Sequence, residues 1–442
     1  MKKLGSGSYG NVYKVKTKYG KHHALKASIK PETYSIGLND LREVDISLRL
    51  RHPYVNQILD YTANYVVSDK ESKYTLIYPL ADGTLFDLAD KINKLKSSEH
   101  IFMKYLIQLL LGLKYVHDRD IILSDIKPEN VLYFDKEDAV KFNDFGSSVY
   151  DDKIFKDNIT ATIFYMSPEV LFQTGMINKS SDIWSLGMVF VEILTGELPQ
   201  DFVSDELYYN LTEQKINKSK AKLEKNIQNA LKLIRNRDLS SMIENMLQID
   251  YTKRLTVDQL LQLPIFSDYK ENEKIIEKLY TGCPITLLYS NTHDFTKNIE
   301  ANKVLTLLYK KCSNEGQYWS WFNTVDILNY LVNVNFIEND FVYPIIAAFL
   351  LCLKLYSDIY YEKDNINKFL SCFNINYKTL ESTEVKIFTK LAGKIYRKNI
   401  YSFLYNSDVK FDTDKLSKFV ISTVFEGEIQ EYVQAFLEYS KK

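Results

Sequence analysis

The sequence predicts an α+β protein with two lobes, followed by an all-helical domain. Alternating apolar and polar residues between Lys3 and about Lys30 predict two or three strands around a glycine-rich turn. Helical periodicity then dominates the rest of the chain, and strands followed by helices are typical of an α+β arrangement. The length of 442 residues is more than one core usually needs and suits two domains.

The later elements follow in chain order from the spacing of apolar residues. Leu41, Val44 and Leu48 lie at helical spacing and predict an amphipathic helix over residues 38–50, and a compact apolar run predicts a strand over 74–80. Further helices are predicted over residues 102–117, 182–195, 213–237, 240–247 and 256–263. From residue 298 onward we find only helical patterns.

Composition excludes several classes of protein. The chain has 56 basic and 57 acidic residues, so it lacks the basic excess of a nucleic-acid-binding protein. No segment resembles a signal peptide or is long and apolar enough to cross a membrane. The four cysteines, at 283, 312, 352 and 372, show no CxxC spacing and are expected to be reduced. We therefore expect a soluble cytoplasmic protein without nucleic-acid or membrane partners.

A glycine-rich loop opens the chain. Gly5, Gly7 and Gly10 form a GxGxxGxV motif at a turn between strands, where a Cβ would keep backbone amides away from phosphate oxygens. A tight hairpin is the simpler explanation of this motif alone. No helix follows it, which disfavours a dinucleotide-binding turn. Lys26 on the next strand and Glu43 on the following helix could form an ion pair against phosphates, although each alone could face solvent.

The strongest motif is the run Ile122-Leu-Ser-Asp125-Ile-Lys127-Pro-Glu-Asn130. Asp125 can accept a proton from an attacking hydroxyl, and Lys127 can neutralise charge on a transferring phosphoryl group. Asn130 can ligate Mg²⁺, as can Asp144 of the Asp-Phe-Gly run that follows.

Residues 1 to about 266 resemble a eukaryotic protein kinase domain, since these motifs occur in the order that this family shows. The resemblance implies a bilobal kinase fold with an N-lobe over 1–81 and a C-lobe over 82–268, and a Ser/Thr-specific transfer from ATP with Mg²⁺ to a protein substrate. Lys26, Glu43, Asp125 and Lys127 are the implied catalytic residues, with Asn130 and Asp144 as metal ligands. The implied ATP-binding residues are Gly5, Gly7, Ser8, Tyr9, Gly10, Val12, Ala24, Lys26, Tyr78 (the gatekeeper), Pro79, Ala81 and Leu132.

Further landmarks agree with this resemblance, and one departs from it. We call residues 123–130 the catalytic loop. The family implies that Glu169 pairs with Arg254, that Asp182 braces this loop, and that Thr162 lies near Asp125. The loop begins Leu-Ser-Asp here, where the family usually has His-Arg-Asp. The missing arginine normally receives an activation-loop phosphate, so phosphorylation-dependent switching is in doubt. Asp157 lies near where many kinases carry the phosphorylated residue.

After a linker over residues 269–297, residues 298–442 resemble a cyclin box: a deeply apolar helix ends at Lys354, and a later helix carries Glu384. The resemblance implies that this pair contacts the kinase around its regulatory helix, so that the cyclin-like domain is a partner in cis. Fusions of this kind resemble those of large DNA viruses, which would place the protein in host cytoplasm. A plain helical bundle is the alternative for this domain. A pseudokinase scaffold is the alternative for the whole chain, although the joint presence of five catalytic residues counts against it.

Overall fold

The computed structural model describes residues 2–7, 10–17, 20–29, 38–62, 71–93, 98–152, 161–172, 177–200, 203, 212–269, 288–291, 294–312, 315–337, 341–356, 373, 375–391, 395, 399–407, 409–423 and 425–441. We call residues 2–269 the N-terminal part and residues 288–441 the C-terminal part. Ser8, Tyr9, Asp157, Cys283 and Cys372, which the sequence analysis singled out, lie outside the described residues.

The N-terminal part begins with a five-stranded antiparallel sheet of order β1-β2-β3-β5-β4. Its strands are β1 (Lys2–Gly7), β2 (Gly10–Lys16), β3 (His22–Ile29), β4 (Asp60–Thr62) and β5 (Glu71–Pro79). The register sets Val12 opposite Lys26 and Ala24 opposite Tyr78. Helix α1 (Leu38–Ser47) follows β3 in the chain, as the apolar spacing predicts.

Helices make up most of the remaining N-terminal part. They are α2 (Leu85–Asn93), α3 (Ser98–His117), α4 (Pro168–Leu171), α5 (Lys179–Thr195), α6 (Glu213–Leu231), α7 (Arg237–Met246) and α8 (Val257–Leu261). Short strands lie between them: β6 (Gly83–Thr84), β7 (Ile121–Ile122), β8 (Val131–Phe134), β9 (Ala139–Phe142) and β10 (Val149–Tyr150). Strands β6, β8 and β9 form one small sheet, and β7 pairs with β10.

Helix α5 is the buried centre of this region. A capping box at Asn178 begins it, and Gly196 ends it in the left-handed conformation with φ of 77°, where glycine avoids the strain of a side chain. Apolar residues face every side of the helix, and all but a few of its side chains are buried. A helix that is apolar all round needs neighbours on all sides, which α2, α3, α7 and β7 provide.

The C-terminal part contains seven described helices and one pair of strands. The helices are α9 (Ile299–Tyr309), α10 (Glu315–Asn333), α11 (Val342–Tyr356), α12 (Tyr377–Lys390), α13 (Ile400–Asn406), α14 (Thr413–Ser422) and α15 (Ile429–Ser440). Strand β11 (Leu288–Asn291) pairs antiparallel with β12 (Phe425–Glu428). The prediction of an all-helical domain is therefore wrong at these strands, which are too short to show a period of two against the helical background.

The predicted linker over 269–297 also differs from the structure at its end. Strand β11 lies inside it, and the Phe295 side chain is fully buried. Helix α11, the most apolar helix, packs between α10 and α12. Among the described residues, none of the helices combines the length and apolar character that crossing a membrane requires.

The two parts share one continuous cluster of buried apolar side chains. Helix α1 packs against α11, and the Arg42 Nε donates to the Leu355 carbonyl at 3.4 Å. The rings of Tyr61 and Phe388 meet edge to face with centroids 6.1 Å apart. As a result, residues 41–47 are buried on every side of α1, although their sequence pattern is amphipathic.

Candidate active site

Lys26 holds two carboxylates that lie far apart in the sequence. Its Nζ lies 2.6 Å from Glu43 Oε2 on α1 and 2.9 Å from Asp144 Oδ1. The Tyr78 hydroxyl donates to the other oxygen of Glu43 at 2.9 Å. The pairing of β3 with β5 and the packing of α1 bring these side chains together, so four of the predicted site residues form one cluster.

The pKa directions in this cluster follow from burial and charge. Burial disfavours the Lys26 ammonium, but the charges of Glu43 and Asp144 outweigh it and raise the pKa of Lys26. Burial raises the pKa of Glu43, while Lys26 and Tyr78 oppose that rise. Burial also acts on Asp144, but Lys26 dominates and lowers the pKa of Asp144. Lys26 is therefore a positive charge between two carboxyl groups whose pKa values shift in opposite directions.

Asp125 lies at the centre of a second cluster. Its Oδ2 accepts from Lys127 Nζ at 2.7 Å, and its Oδ1 accepts from the Thr162 backbone amide at 2.9 Å and hydroxyl at 2.7 Å. The Asn130 amide nitrogen donates to the Asp125 carbonyl at 2.9 Å and to its Oδ2 at 3.0 Å. Lys127 also donates to Thr162 at 2.7 Å. The carboxylate is thus fixed in orientation by groups from two separate segments.

The two clusters are neighbours. The backbone amide of Asn143, next to Asp144 in the chain, donates to the carbonyl of Asn130 in the Asp125 cluster at 2.9 Å. Ser124 and Asp144 both have left-handed backbones, with φ of 70° and 62°. Such conformations cost energy in residues other than glycine, and they gather at functional sites.

Asp182 holds the catalytic loop from below, as the resemblance implies. Its oxygens accept from the backbone amides of Leu123 at 2.8 Å and Ser124 at 2.9 Å. His117 Nε2 lies 2.9 Å from Asp182 Oδ2, a partner that the sequence analysis did not identify. These bonds use the loop backbone, so the change from His-Arg to Leu-Ser leaves the position of Asp125 intact.

Glu169 and Arg254 form a buried bidentate ion pair. Arg254 Nη1 and Nη2 donate to the two Glu169 oxygens at 2.8 and 2.7 Å. Burial opposes ionisation of Glu169, but Arg254 outweighs it and lowers the pKa of that carboxyl. Ser181 at the start of α5 also donates to Glu169, so the pair joins α4, α5 and the segment after α7.

The predicted adenine-binding residues lie on β2, β3, β5 and β8 and in the connection between β5 and β6. Ala24 and Tyr78 are partners on neighbouring strands, and Leu132 lies on β8. Pro79 ends β5, and Ala81 follows in the connection to β6. A Cβ added to Gly5 would meet no atom of the described residues within 4 Å, so packing against them does not explain this glycine. Open space beside Gly5 on β1 fits the approach of phosphates.

Asn130 and Asp144 fit a magnesium ion by their chemistry. Asn130 uses its amide nitrogen toward Asp125, which leaves its oxygen to ligate a metal, and Asp144 contributes a carboxylate. Within the described part of the chain, no group of three or more His, Cys, Asp or Glu side chains could hold a metal. Mg²⁺ commonly takes only one or two protein ligands beside substrate phosphates, so the two oxygen donors suffice.

Comparison with known proteins agrees with this geometry. Residues 1–266 match the family model of the protein kinase domain. The chain is 33% identical over 273 residues to calcium-dependent protein kinase 3 of Plasmodium yoelii yoelii, covering 60% of this chain and 47% of that protein.

Two further relatives match over similar lengths. Aurora kinase of Eremothecium gossypii is 35% identical over 216 residues, which cover 47% of this chain and 55% of that protein. CBL-interacting serine/threonine-protein kinase 20 of Arabidopsis thaliana is 32% identical over 220 residues, which cover 48% of each chain. The chain spans about half the length of the curated relatives it matches. With a family match over more than half of its residues, the chain belongs to the protein kinase family.

Proposed function

We propose that this protein is a Ser/Thr protein kinase that transfers the γ-phosphoryl group of ATP to a hydroxyl of a protein substrate. The observation that carries the proposal is the Asp125 carboxylate, fixed by Lys127, Thr162 and Asn130 beside the Lys26–Glu43–Asp144 cluster. One relative of the chain is named a serine/threonine-protein kinase, which supports serine and threonine hydroxyls as the phosphoryl acceptors.

Each residue has one task in the proposed reaction. Asp125 accepts the hydroxyl proton as the new oxygen–phosphorus bond forms and the bond to ADP breaks. Lys127 lies beside Asp125 and neutralises charge on the moving phosphoryl group, and Lys26 orients the remaining phosphates. Asn130 and Asp144 would hold Mg²⁺, which when bound would neutralise charge on the phosphates.

Phosphoryl transfer to a mixed peptide library tests this proposal against the pseudokinase alternative. We expect Asp125→Asn to lower kcat by about 10²–10⁴-fold, the usual contribution of a general base. Asp118→Asn is the matched control, because Asp118 is exposed and pairs with Lys114 on the surface. If the wild type transfers no more phosphate than Asp125→Asn, the protein is a scaffold that binds without turnover.

We also propose that the C-terminal part regulates the kinase in cis as a cyclin-like domain. Lys354 Nζ lies 2.7 and 2.9 Å from the two Glu384 oxygens, and the pair is almost fully buried. It joins α11 to α12, and the next residue, Leu355, accepts from Arg42 of α1. This contact from the C-terminal part supports α1 and so holds Glu43 against Lys26. Because the two parts are covalently joined, the C-terminal part is present at a high effective concentration.

A cleavable version of the chain tests this regulation. A protease site inserted near residue 275 allows the two fragments to be separated after folding. We expect the N-terminal fragment alone to lose most activity and to recover it when the C-terminal fragment is added. A folded N-terminal fragment with full activity would remove the cyclin-like proposal and leave the kinase assignment in place.

A further inference from the structure

A second set of hydrogen bonds lies on another face of α1. Residues two apart on an α-helix are rotated by about 200° around its axis, so they lie on nearly opposite faces. Glu43 faces Lys26, and Asp45 therefore lies on the other side of α1. The Asp45 side chain is fully buried. Its Oδ1 accepts from Arg49 Nη2 at 2.9 Å and from the Ile395 backbone amide at 2.6 Å, and its Oδ2 accepts from the Tyr150 hydroxyl.

Ile395 is held from its other side within the C-terminal part. Asn323 of α10 donates to the Ile395 carbonyl at 3.0 Å, and the same nitrogen lies 3.1 Å from the Cys352 sulfur. Asn323 and Ile395 are both fully buried. The amide that reaches Asp45 is thus anchored in the core of the C-terminal part.

Tyr150 belongs to the segment that leaves the active site. It lies on β10, which pairs with β7 directly before the catalytic loop, and Ser148 donates to the Leu123 carbonyl at 3.1 Å. Asp144 begins this segment and is tied to α1 through Lys26 and Glu43. Helix α1 therefore holds both ends of residues 144–150.

A buried carboxylate is stable only when hydrogen bonds and charge balance it. Among the described residues that donate to Asp45 are Arg49 on its own helix, Tyr150 beside the catalytic loop, and Ile395 from the C-terminal part. Withdrawal of one donor leaves part of the buried charge unbalanced, which weakens the other hydrogen bonds of the same network.

We propose that Asp45 is the positioning residue through which the C-terminal part fixes residues 144–150 against α1. This inference rests on the proposed kinase function and names the side chain that carries its regulation. The link runs from Asn323 through Ile395 and Asp45 to Tyr150, and it requires no phosphorylated residue.

Hydrogen exchange on the full chain tests the link. Coupling between two sites is reciprocal, so a nucleotide at the active site must stabilise the far end of the link. We expect a non-hydrolysable ATP analogue with Mg²⁺ to slow exchange in the peptide that contains Ile395 by about fivefold or more, the low end of ordinary coupling. Tyr150→Phe removes only the hydroxyl and is expected to abolish this protection.

A matched control loses a similar bond elsewhere. The Tyr309 hydroxyl donates to Asp414 Oδ1 at 2.8 Å within the C-terminal part, so Tyr309→Phe must keep the wild-type response. Protection of the β1–β2 hairpin reports nucleotide binding itself. Equal protection at Ile395 in wild type and Tyr150→Phe, or none in a wild type that binds nucleotide, overturns the inference and leaves the kinase assignment standing.

The same link predicts non-additive kinetics. Asp45→Asn alters the carboxylate that accepts from Tyr150, and Tyr150→Phe removes the hydroxyl that donates to it. If Tyr150 acts through Asp45, the double variant should lose no more kcat than the stronger single variant. Additive losses would mean that the two residues act separately, which contradicts the proposal.

Discussion

Tyr78, which is predicted to line an adenine site, also contacts the residue that pairs with Lys26. Its buried hydroxyl donates to Glu43 at 2.9 Å and lies 3.5 Å from the Ser47 hydroxyl. Burial and the nearby Glu43 charge raise the pKa of Tyr78 well above its ordinary value, so the phenol keeps its proton and remains a donor. The sequence predicts the position of Tyr78, but a hydrogen bond across two elements has no local signature.

Tyr78→Phe should therefore weaken the hold on Glu43. We expect kcat to fall by about tenfold, because a hydrogen bond to a charged acceptor is worth about 1.5–3 kcal/mol and Lys26 retains part of the hold. The hydroxyl opposes the burial that raises the pKa of Glu43. Its loss raises that pKa further, so the acid limb of the pH–rate profile should move to higher pH.

Kinetics across pH for wild type, Tyr78→Phe and Tyr105→Phe check this prediction. Tyr105 on α3 donates its hydroxyl to Asp138, in the connection between β8 and β9, at 2.6 Å, and Tyr105→Phe is the control. An acid limb at the same pH in all three proteins would show that Tyr78 does not support Glu43.

Glu169→Gln should destabilise the protein in a pH-dependent way. Removal of one partner from a buried ion pair costs about 3–5 kcal/mol. The pKa of Glu169 is lowered in the folded state, so its stabilisation is present above the unfolded value of 4.5 and is lost as pH falls through the folded pKa. Urea midpoints should differ strongly at pH 7 and converge below pH 4.5. A gap that stays constant with pH would contradict the ionised pairing.

Helix α1 shows where prediction from sequence succeeds and where it stops. Its apolar spacing correctly indicates a helix, because that spacing depends only on neighbouring residues. The burial of Arg42 and Asp45 depends on partners 313 and 350 residues away in the chain. A polar helix face looks the same in sequence whether it meets water or another domain.

The candidate site also has a part that local sequence predicts and a part that depends on residues far apart in the chain. Asp125, Lys127 and Asn130 occupy one short loop, so their spacing alone places them together. Their approach to Lys26 and Asp144 was predicted only through the resemblance to a family. Strands β11 and β12 were missed because each has four residues and they lie far apart in the chain.

Gly187→Ala tests how closely α5 and α7 pack. An added Cβ would lie 2.9 Å from a Leu247 methyl carbon and 3.1 Å from Met246 Cβ, both in the core. Alanine improves helix propensity by about 1 kcal/mol, while overpacking costs about 1–3 kcal/mol. We expect a net loss of stability, measured as a lower urea midpoint. A higher midpoint would show that the interface can relax.

The whole chain should unfold as one unit, because its two parts share a single apolar cluster. Glu384→Gln breaks a buried ion pair in the C-terminal part, which costs about 3–5 kcal/mol. We expect calorimetry to show one transition that moves to lower temperature as a whole. Two transitions, of which only one moves, would mean that the parts are stable independently and that α1 needs no support from the C-terminal part.

In the proposed function, the Asp125 site moves a phosphoryl group directly from nucleotide to protein. ATP labelled with oxygen-18 on its γ-phosphoryl group, incubated with a protein acceptor, tests it by mass spectrometry. We predict labelled phosphate on serine or threonine with the wild type, and label that forms about 10²–10⁴-fold more slowly with Asp125→Asn. Label found only in inorganic phosphate, or equal labelling of the acceptor by both proteins, would show that the Asp125 site does not transfer the phosphoryl group to protein.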